Sequence, residues 1–513
     1  MPLERDEGEY AYMAQQMLNG VPPYISGYSM KFPGIYTAYA VIMTLFGQTI
    51  EGIRLGLIFV NAANIALLFF LARRLIGAYA GAIAAVFFAL SSLDPNFLGL
   101  TANAEHFVLL PALAGSLVLL RALDSRKPGL HFISGLCFGL ALIVKQHGVF
   151  FGVFAFLFML WHAHKVEKAL YADIAKRSAL FASGAAMPLL TTCVLLYASG
   201  AFDKFWFWTV TYGAGYVNCL PLGVGLNMLS RQIRDAALSP AAPLYCSAIA
   251  GIVLFFSRRP ERSAAVFAAG FLGASFLSVA QGFYFRGHYF IFILPILSIF
   301  AGAAFGAIRD LLSKKGRAPM PALLPSLLAA AVCSFYLSGD SAVFFYKGPA
   351  EVSRFIYGAS PFPEAVAIAD HIRSVGGKSY TMAVLGSEPE MYFYLDGVCP
   401  TGYIYMYPLL EPHERFSAMQ KEMVEGVMAA SPDYVVYFNA KTSWHEYEQF
   451  IGTEKRLFEW IHGYLPANYD VIGIVDVIGG RPTGYRWGGP LVGYEPEYDC
   501  YIIVFRKKPP ESR

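Results

Sequence analysis

Ten stretches of the sequence are apolar enough to sit in a bilayer: near 53–73, 78–93, 105–121, 131–144, 147–162, 179–198, 241–257, 263–280, 288–308 and 320–338. At this density they exclude a water-soluble fold. A hydrocarbon core about 30 Å thick takes helices of about 20 apolar residues, and only structures that satisfy their own backbone polar groups can cross it. Several of the ten are shorter than that, so tilted, broken or re-entrant helices are expected among them. The run 35–47 (IYTAYAVIMTLFG) is shorter still and is expected as an interfacial or partly inserted helix. Charged residues make up only 15% of the chain, against about 25% in soluble domains. The net charge of +3 gives no reason to expect nucleic acid as a partner.

The basic residues orient the segments, because short cytoplasmic connections accumulate Lys and Arg. One set of connections carries Arg73 and Arg74, then Arg121, Arg126 and Lys127, then the run from His162 to Arg177. It continues with Arg258, Arg259 and Arg262, and with Arg309, Lys314, Lys315 and Arg317. The alternating connections at 94–104, 145–146, 199–240 and 281–287 are poorer in such clusters. The first set reads as cytoplasmic, which places residues 6–34 and everything after 339 on the external side.

The composition changes after Tyr336. Residues 349–513 are polar and alternate helical patterns (363–375, 411–430, 444–463) with strand patterns (379–386, 433–438, YDVIGIVDVIG and 500–505). That order predicts an external α/β domain. The organisation is then an opening external loop at 1–34, a transmembrane domain at 35–340 and the α/β domain at 349–513. Cys137, Cys193, Cys219, Cys246 and Cys333 lie in or near apolar segments as small hydrophobes. Cys399 and Cys500 fall in the polar region, where a disulfide between them is left open.

The opening stretch, DEGEYAYMAQQMLNGVPPYISGYSMKFPG at 6–34, places the adjacent carboxylates Asp6 and Glu7 ahead of Lys31, with Tyr10, Tyr12, Tyr24 and Tyr28 between. An acid that takes a proton and a cation that holds a leaving anion are what group transfer at a membrane surface requires. The pattern resembles the first external loop of the GT-C membrane glycosyltransferases, the superfamily of polyprenyl-phosphate-mannose protein mannosyltransferases and lipid A aminoarabinose transferases. The resemblance is carried by 6–34, about 101–106, 145–146 and 284–295. It implies a polytopic α-helical fold and an integral membrane enzyme that moves a sugar from a polyprenyl-phosphate donor to an acceptor hydroxyl with inversion. The acceptor, whether lipid, glycan or protein, is left open. Members of the superfamily carry a helix just ahead of the acidic motif, so an upstream start encoding one more apolar segment is expected. A bacterial inner or plasma membrane is the expected location.

The resemblance implies a general base at Asp6, with Glu7 orienting the loop, and the lipid-linked phosphate at Lys31. Solvated terminal charges, and a lysine snorkelling to headgroups, are the plainer readings. Glu105 and His106, in TANAEHFVLL, either cap a helix or bind sugar hydroxyls or a divalent ion. Lys145, in ALIVKQHGVFF, is a phosphate or sugar ligand or a snorkelling lysine; charges at such depth usually mark function. Arg286 and His288, in FYFRGHYFIFILP, resemble a superfamily segment, with Arg286 as a second phosphate contact and His288 as a sugar or acceptor candidate. Trp206, Trp208, Tyr212 and Tyr216 read as an interfacial aromatic belt, with a lid or prenyl groove as the alternative. LGSEPEMYFYLDG at 385–397 resembles the superfamily's external domain without forming a catalytic set. No cofactor is called for with certainty. A membrane transporter or a lipid or glycan flippase-like protein is the competing class, disfavoured because the charges gather at helix ends and no inverted repeat is seen.

Overall fold

The computed structural model describes residues 1–125, 127–217, 220–313, 320–377, 380–411, 413–444, 455–477, 482–488, 491 and 494–509. Arg126, Cys219, Lys314, Lys315, Arg317 and the first part of the 444–463 helix lie outside the described residues. Eight helices open the chain: α1 (Arg5–Leu18), α2 (Gly34–Phe46), α3 (Ile50–Ile76), α4 (Ala78–Ser91), α5 (Ala104–Ser125), α6 (Gly129–Val144), α7 (Val149–Lys165) and α8 (Tyr171–Ala198). Leu222–Leu238, Ala242–Ser257, Arg262–Ala280, Leu294–Ser313 and Met320–Gly339 follow. All ten expected apolar segments are helical. Six helices among the described residues are long and apolar enough to cross a membrane, while α4, α6 and Leu323–Gly339 are shorter. Ala242–Ser257 meets Leu222–Leu238 at 107°, so the second helix runs nearly across the direction of the first.

Small residues let these helices approach closely, as expected where lipid supplies no hydrophobic drive for helix pairing. A Cβ on Gly135 of α6 would lie 2.0 Å from the Phe181 carbonyl of α8, and one on Gly184 of α8 would lie 2.1 Å from that of Phe132. The two helices therefore pack reciprocally, backbone on backbone.

The C-terminal domain is the expected α/β unit. Its sheet runs β1-β2-β5-β3-β4, with β1 (Met382–Leu385), β2 (Tyr434–Asn439), β3 (Tyr469–Asp476), β4 (Gly484–Trp487) and β5 (Tyr501–Lys507). β1 and β2 are parallel, joined through the helix Phe416–Ala430, and the remaining pairs are antiparallel. Strand β4 is short and half exposed, which explains why its sequence carries no clear alternation. Cys399 and Cys500 are separate free thiols.

The opening stretch is not a loop in its first half. Residues 5–18 form a helix closed by a reciprocal capping box, in which the Glu4 carboxylate accepts from the Glu7 amide and the Glu7 carboxylate from the Glu4 amide. Its aromatic residues join one core that reaches both neighbours. Tyr10 and Tyr12 pack with Tyr36 and Tyr39 of α2 in the same cluster as Met391, Tyr392, Val436 and Val504 of the C-terminal domain. α1 is thus held between the membrane helices and the α/β domain.

Candidate active site

The three leading residues of α1 leave the helix about 100° apart and go to three places. Arg5 points to the C-terminal domain, where it donates to Glu388 at 2.9 Å. Glu7 is fully buried against α3, receiving both terminal guanidinium nitrogens of Arg54 and the Ala102 amide. Asp6, between them, faces a cavity of about 780 Å³.

Asp6 pairs with Lys31 at 2.7 Å, and Lys31 is held on its other side by Glu9 at 2.9 Å. Glu9 is fully buried and also receives the hydroxyls of Ser29 (2.5 Å), Tyr36 (2.6 Å) and Tyr405 (2.7 Å). Lys31 lies 4.6 Å from the centre of the Tyr10 ring, and the Tyr24 hydroxyl donates to its carbonyl at 2.7 Å. Burial alone would push the Asp6 carboxyl up; Lys31 first, then His288 and Lys145, outweigh it and hold it well below the ordinary carboxylate range. Burial likewise works against the Lys31 ammonium, but Asp6 and then Glu9 keep it above its ordinary value.

Across the cavity, Lys145 ends α6 in extended backbone and is ion-paired with Glu105. Its ammonium sits 4.6 Å from the centre of the Tyr289 ring. The imidazole of His288 stands between the two acids, with Nε2 4.0 Å from Asp6 and 3.9 Å from Glu105. Arg286 lies over the Tyr284 ring at 5.4 Å. The segment that carries it is strained: Phe283 (φ 58°) and Phe285 (φ 41°) adopt the left-handed conformation that side chains with a Cβ rarely take. Such outliers persist where surrounding structure over-determines them, as it does at ligand sites.

The sequence therefore brings Asp6, Lys31, Lys145, Arg286 and His288 to one cavity. It does not bring Glu7, Glu105 or His106 to that surface. Glu7 is turned toward Arg54, Glu105 stands behind Lys145, and His106 is fully buried in α5. Glu9, Arg5, Glu4, Tyr405 and Tyr407 line the cavity without having been singled out. Glu9 was legible in principle, since it stands three residues after Asp6 and so on the same face of any helix through the stretch. Trp208 and Tyr212 also line the cavity, Trp208 stacked on Tyr28 at 5.1 Å, whereas Trp206 is exposed. Of the three whose side chains are described, only Trp206 fits the aromatic belt; the Tyr216 side chain lies outside the described residues.

Among the described residues no three His, Cys, Asp or Glu side chains are arranged to hold a metal ion. Asp6, Glu9 and Glu105 are each paired with a lysine. This donor set does not fit a divalent ion.

The model of the family described as dolichyl-phosphate-mannose-protein mannosyltransferase matches residues 31–210. No curated protein matches the sequence. Among solved structures, ArnT from Cupriavidus metallidurans bound to undecaprenyl phosphate is similar at a TM-score of 0.55 and 15% identity, over 98% of this chain and 94% of that one. The Archaeoglobus fulgidus oligosaccharyltransferase tethered to an acceptor peptide is similar at a TM-score of 0.54 and 12% identity, over 94% of this chain and 70% of that one. The archaeal oligosaccharyltransferase AglB from the same organism, in complex with an inhibitory peptide and a dolichol-phosphate, gives a TM-score of 0.51 at 12% identity, with the same coverage.

Proposed function

The chain is an integral membrane protein with the fold of the GT-C glycosyltransferases, and from that premise we propose that it transfers a sugar from a polyprenyl-phosphate donor to an acceptor hydroxyl at the external face of a bacterial inner or plasma membrane. The observation that carries this reading is the convergence of Asp6, Lys31, Lys145 and Arg286 on one cavity roofed by Tyr405 and Tyr407 of the C-terminal domain. Cations in a partly desolvated site suit a phosphodiester, because a lower dielectric strengthens their attraction to it.

Lys31 is the centre of the mechanism. Without donor it is held between Asp6 and Glu9; a lipid-linked phosphate entering beside it competes with Asp6 for the ammonium. Asp6 then loses the partner that depresses its basicity and becomes a better base. It takes the proton of the acceptor hydroxyl as the acceptor oxygen attacks the anomeric carbon. The bond from that carbon to the phosphate oxygen breaks with its electron pair. The departing phosphate is stabilised by Lys31, with Lys145 and Arg286 as further contacts. Attack opposite the leaving group inverts the anomeric centre. His288 and Glu105 are suited to orient sugar hydroxyls, His288 directly and Glu105 through Lys145 and His288. The solved structures similar to this chain, two of them bound to undecaprenyl phosphate or dolichol-phosphate, support a lipid-linked donor.

The test supplies purified full-length protein with radiolabelled polyprenyl-phosphate sugars and a membrane extract, and identifies the labelled product. Label moving from the lipid to an acceptor supports the reading. A panel of such donors that all remain intact overturns it.

A further inference from the structure

We infer that the turn at Ser387 and Glu388 in the C-terminal domain is the positioning element of the transfer site, setting through Arg5 where Asp6 stands relative to Lys31. The inference rests on the donor-transfer reading above and extends it to a domain in which no catalytic set was legible.

The contacts form a connected grip. The Glu388 carboxylate is fully buried and receives Arg5 at 2.9 Å together with the Ser443 hydroxyl. Arg5 Nε donates to the Ser387 carbonyl at 2.5 Å, so the guanidinium holds two consecutive residues of the turn. The Ser387 hydroxyl donates to the Ser443 carbonyl at 2.6 Å and accepts from the Met406 amide at 2.9 Å. Tyr405, the neighbour of Met406, reaches Glu9 at 2.7 Å. One turn therefore fixes both ends of the Asp6–Lys31–Glu9 cluster: Arg5 at the start of α1, and the hydroxyl that meets Glu9 one turn later.

Two observations make this a matter of register. Gly8 passes so close to the turn that a Cβ on it would lie 2.6 Å from the Glu390 amide nitrogen. On the opposite side, Glu7 is locked to Arg54 of α3. The first turn of α1 is thus gripped from above and below, and Asp6, between the grips, projects into the cavity. Glu388 does not line the cavity, so its influence on Asp6 passes through Arg5. A misplacement of about 1 Å at a reacting group costs on the order of a hundredfold in rate.

The test uses the full-length protein in nanodiscs and two readouts: donor kinetics, and hydrogen exchange at the amides of residues 5–18. Glu388→Gln is expected to lower kcat about a hundredfold with donor KM moved less than about threefold, and to speed exchange in α1. Arg5→Lys keeps the charge but loses the fork that spans Ser387 and Glu388; it is expected to lower kcat about tenfold and carries the test if Glu388→Gln does not assemble. Glu390→Gln is the control: that carboxyl is buried beside the same turn with no side-chain partner among the described residues, and its neutral amide is expected to leave both readouts unchanged. Unchanged kcat with only lower thermal stability in Glu388→Gln overturns the inference, as does an equal loss in Glu390→Gln. If the wild type transfers no polyprenyl-phosphate sugar, the functional reading fails separately. Faster α1 exchange in Glu388→Gln then still supports the grip, and unchanged exchange overturns it.

Discussion

Lys31 shares one ammonium between two carboxylates, and that sharing separates the effects of neighbouring substitutions. Asp6→Asn keeps the shape and removes the proposed base, so turnover is expected to fall by about a hundred- to ten-thousandfold, with donor binding retained. Lys31→Ala removes the cation proposed to hold the phosphate and leaves Glu9, fully buried, with one fewer donor. Breaking a buried pair costs about 3–5 kcal/mol, so this variant is expected to lose donor binding, rate and thermal stability together. Binding of undecaprenyl phosphate measured beside turnover distinguishes the two, and near-wild-type transfer by Asp6→Asn removes it as the base. Glu4 adds a pH signature. Burial first, then Asp6 and Glu7, push its carboxyl up to about 8. A carboxyl raised in the folded state holds a proton there that the unfolded chain has released, so the folded state binds more protons between about pH 4.3 and 8 and stability falls as pH rises through that window. Thermal melts of Glu4→Gln are expected to be flatter than wild type from pH 5 to 8; equal slopes exclude Glu4 as the source.

The element that decides the site is α1, and it was half visible. Its acids, and Lys31 beyond it, were legible as candidates, because an acid and a cation ahead of apolar segments stand out in the sequence and match a family loop. Its helicity was obscured by glycine, tyrosine and a short length, and by the absence of apolar periodicity. A helix buried on two sides does not need one apolar stripe. Reading the stretch as a loop hid the spacing of Asp6 and Glu9, and hence the second carboxylate on Lys31. The membrane helices were legible in place and, for α4 and α6, in their shortness too, since both are apolar runs of only 14 and 16 residues. The contacts of Glu388 with Arg5 join residues almost four hundred apart and leave no local trace. The α6–α8 pair tests the packing argument. Gly135→Val places a side chain where Phe181 already puts a carbonyl, 2.0 Å from the added Cβ. Such overpacking typically costs about 1–3 kcal/mol, so a lower melting temperature in detergent is expected. An unchanged one denies the close backbone approach.

Across the whole molecule, the connections sort to two ends. The cavity takes residues from every connection expected to be external: Leu98, Lys145 and Gln146, the 208–214 stretch, and the segment from Gln281 to Arg286, with α1 and the C-terminal domain. The basic connections meet one another elsewhere, as in Arg74 with Asp124 at 2.6 Å and Arg258 with Asp310 at 2.7 Å. The orientation is therefore a single choice: if one connection of a set is external, all are. The positive-inside rule makes that choice for the cavity and for the α/β domain together. Lys421→Cys, exposed on the helix Phe416–Ala430, is expected to react with a membrane-impermeant thiol reagent in intact spheroplasts. Lys165→Cys, exposed at the end of α7, is expected to react only after permeabilisation. The reverse pattern would leave the fold and the cavity untouched but put the cavity on the cytoplasmic side. A donor carried on the external leaflet could not then reach Lys31, and the external transfer mechanism would fall with it.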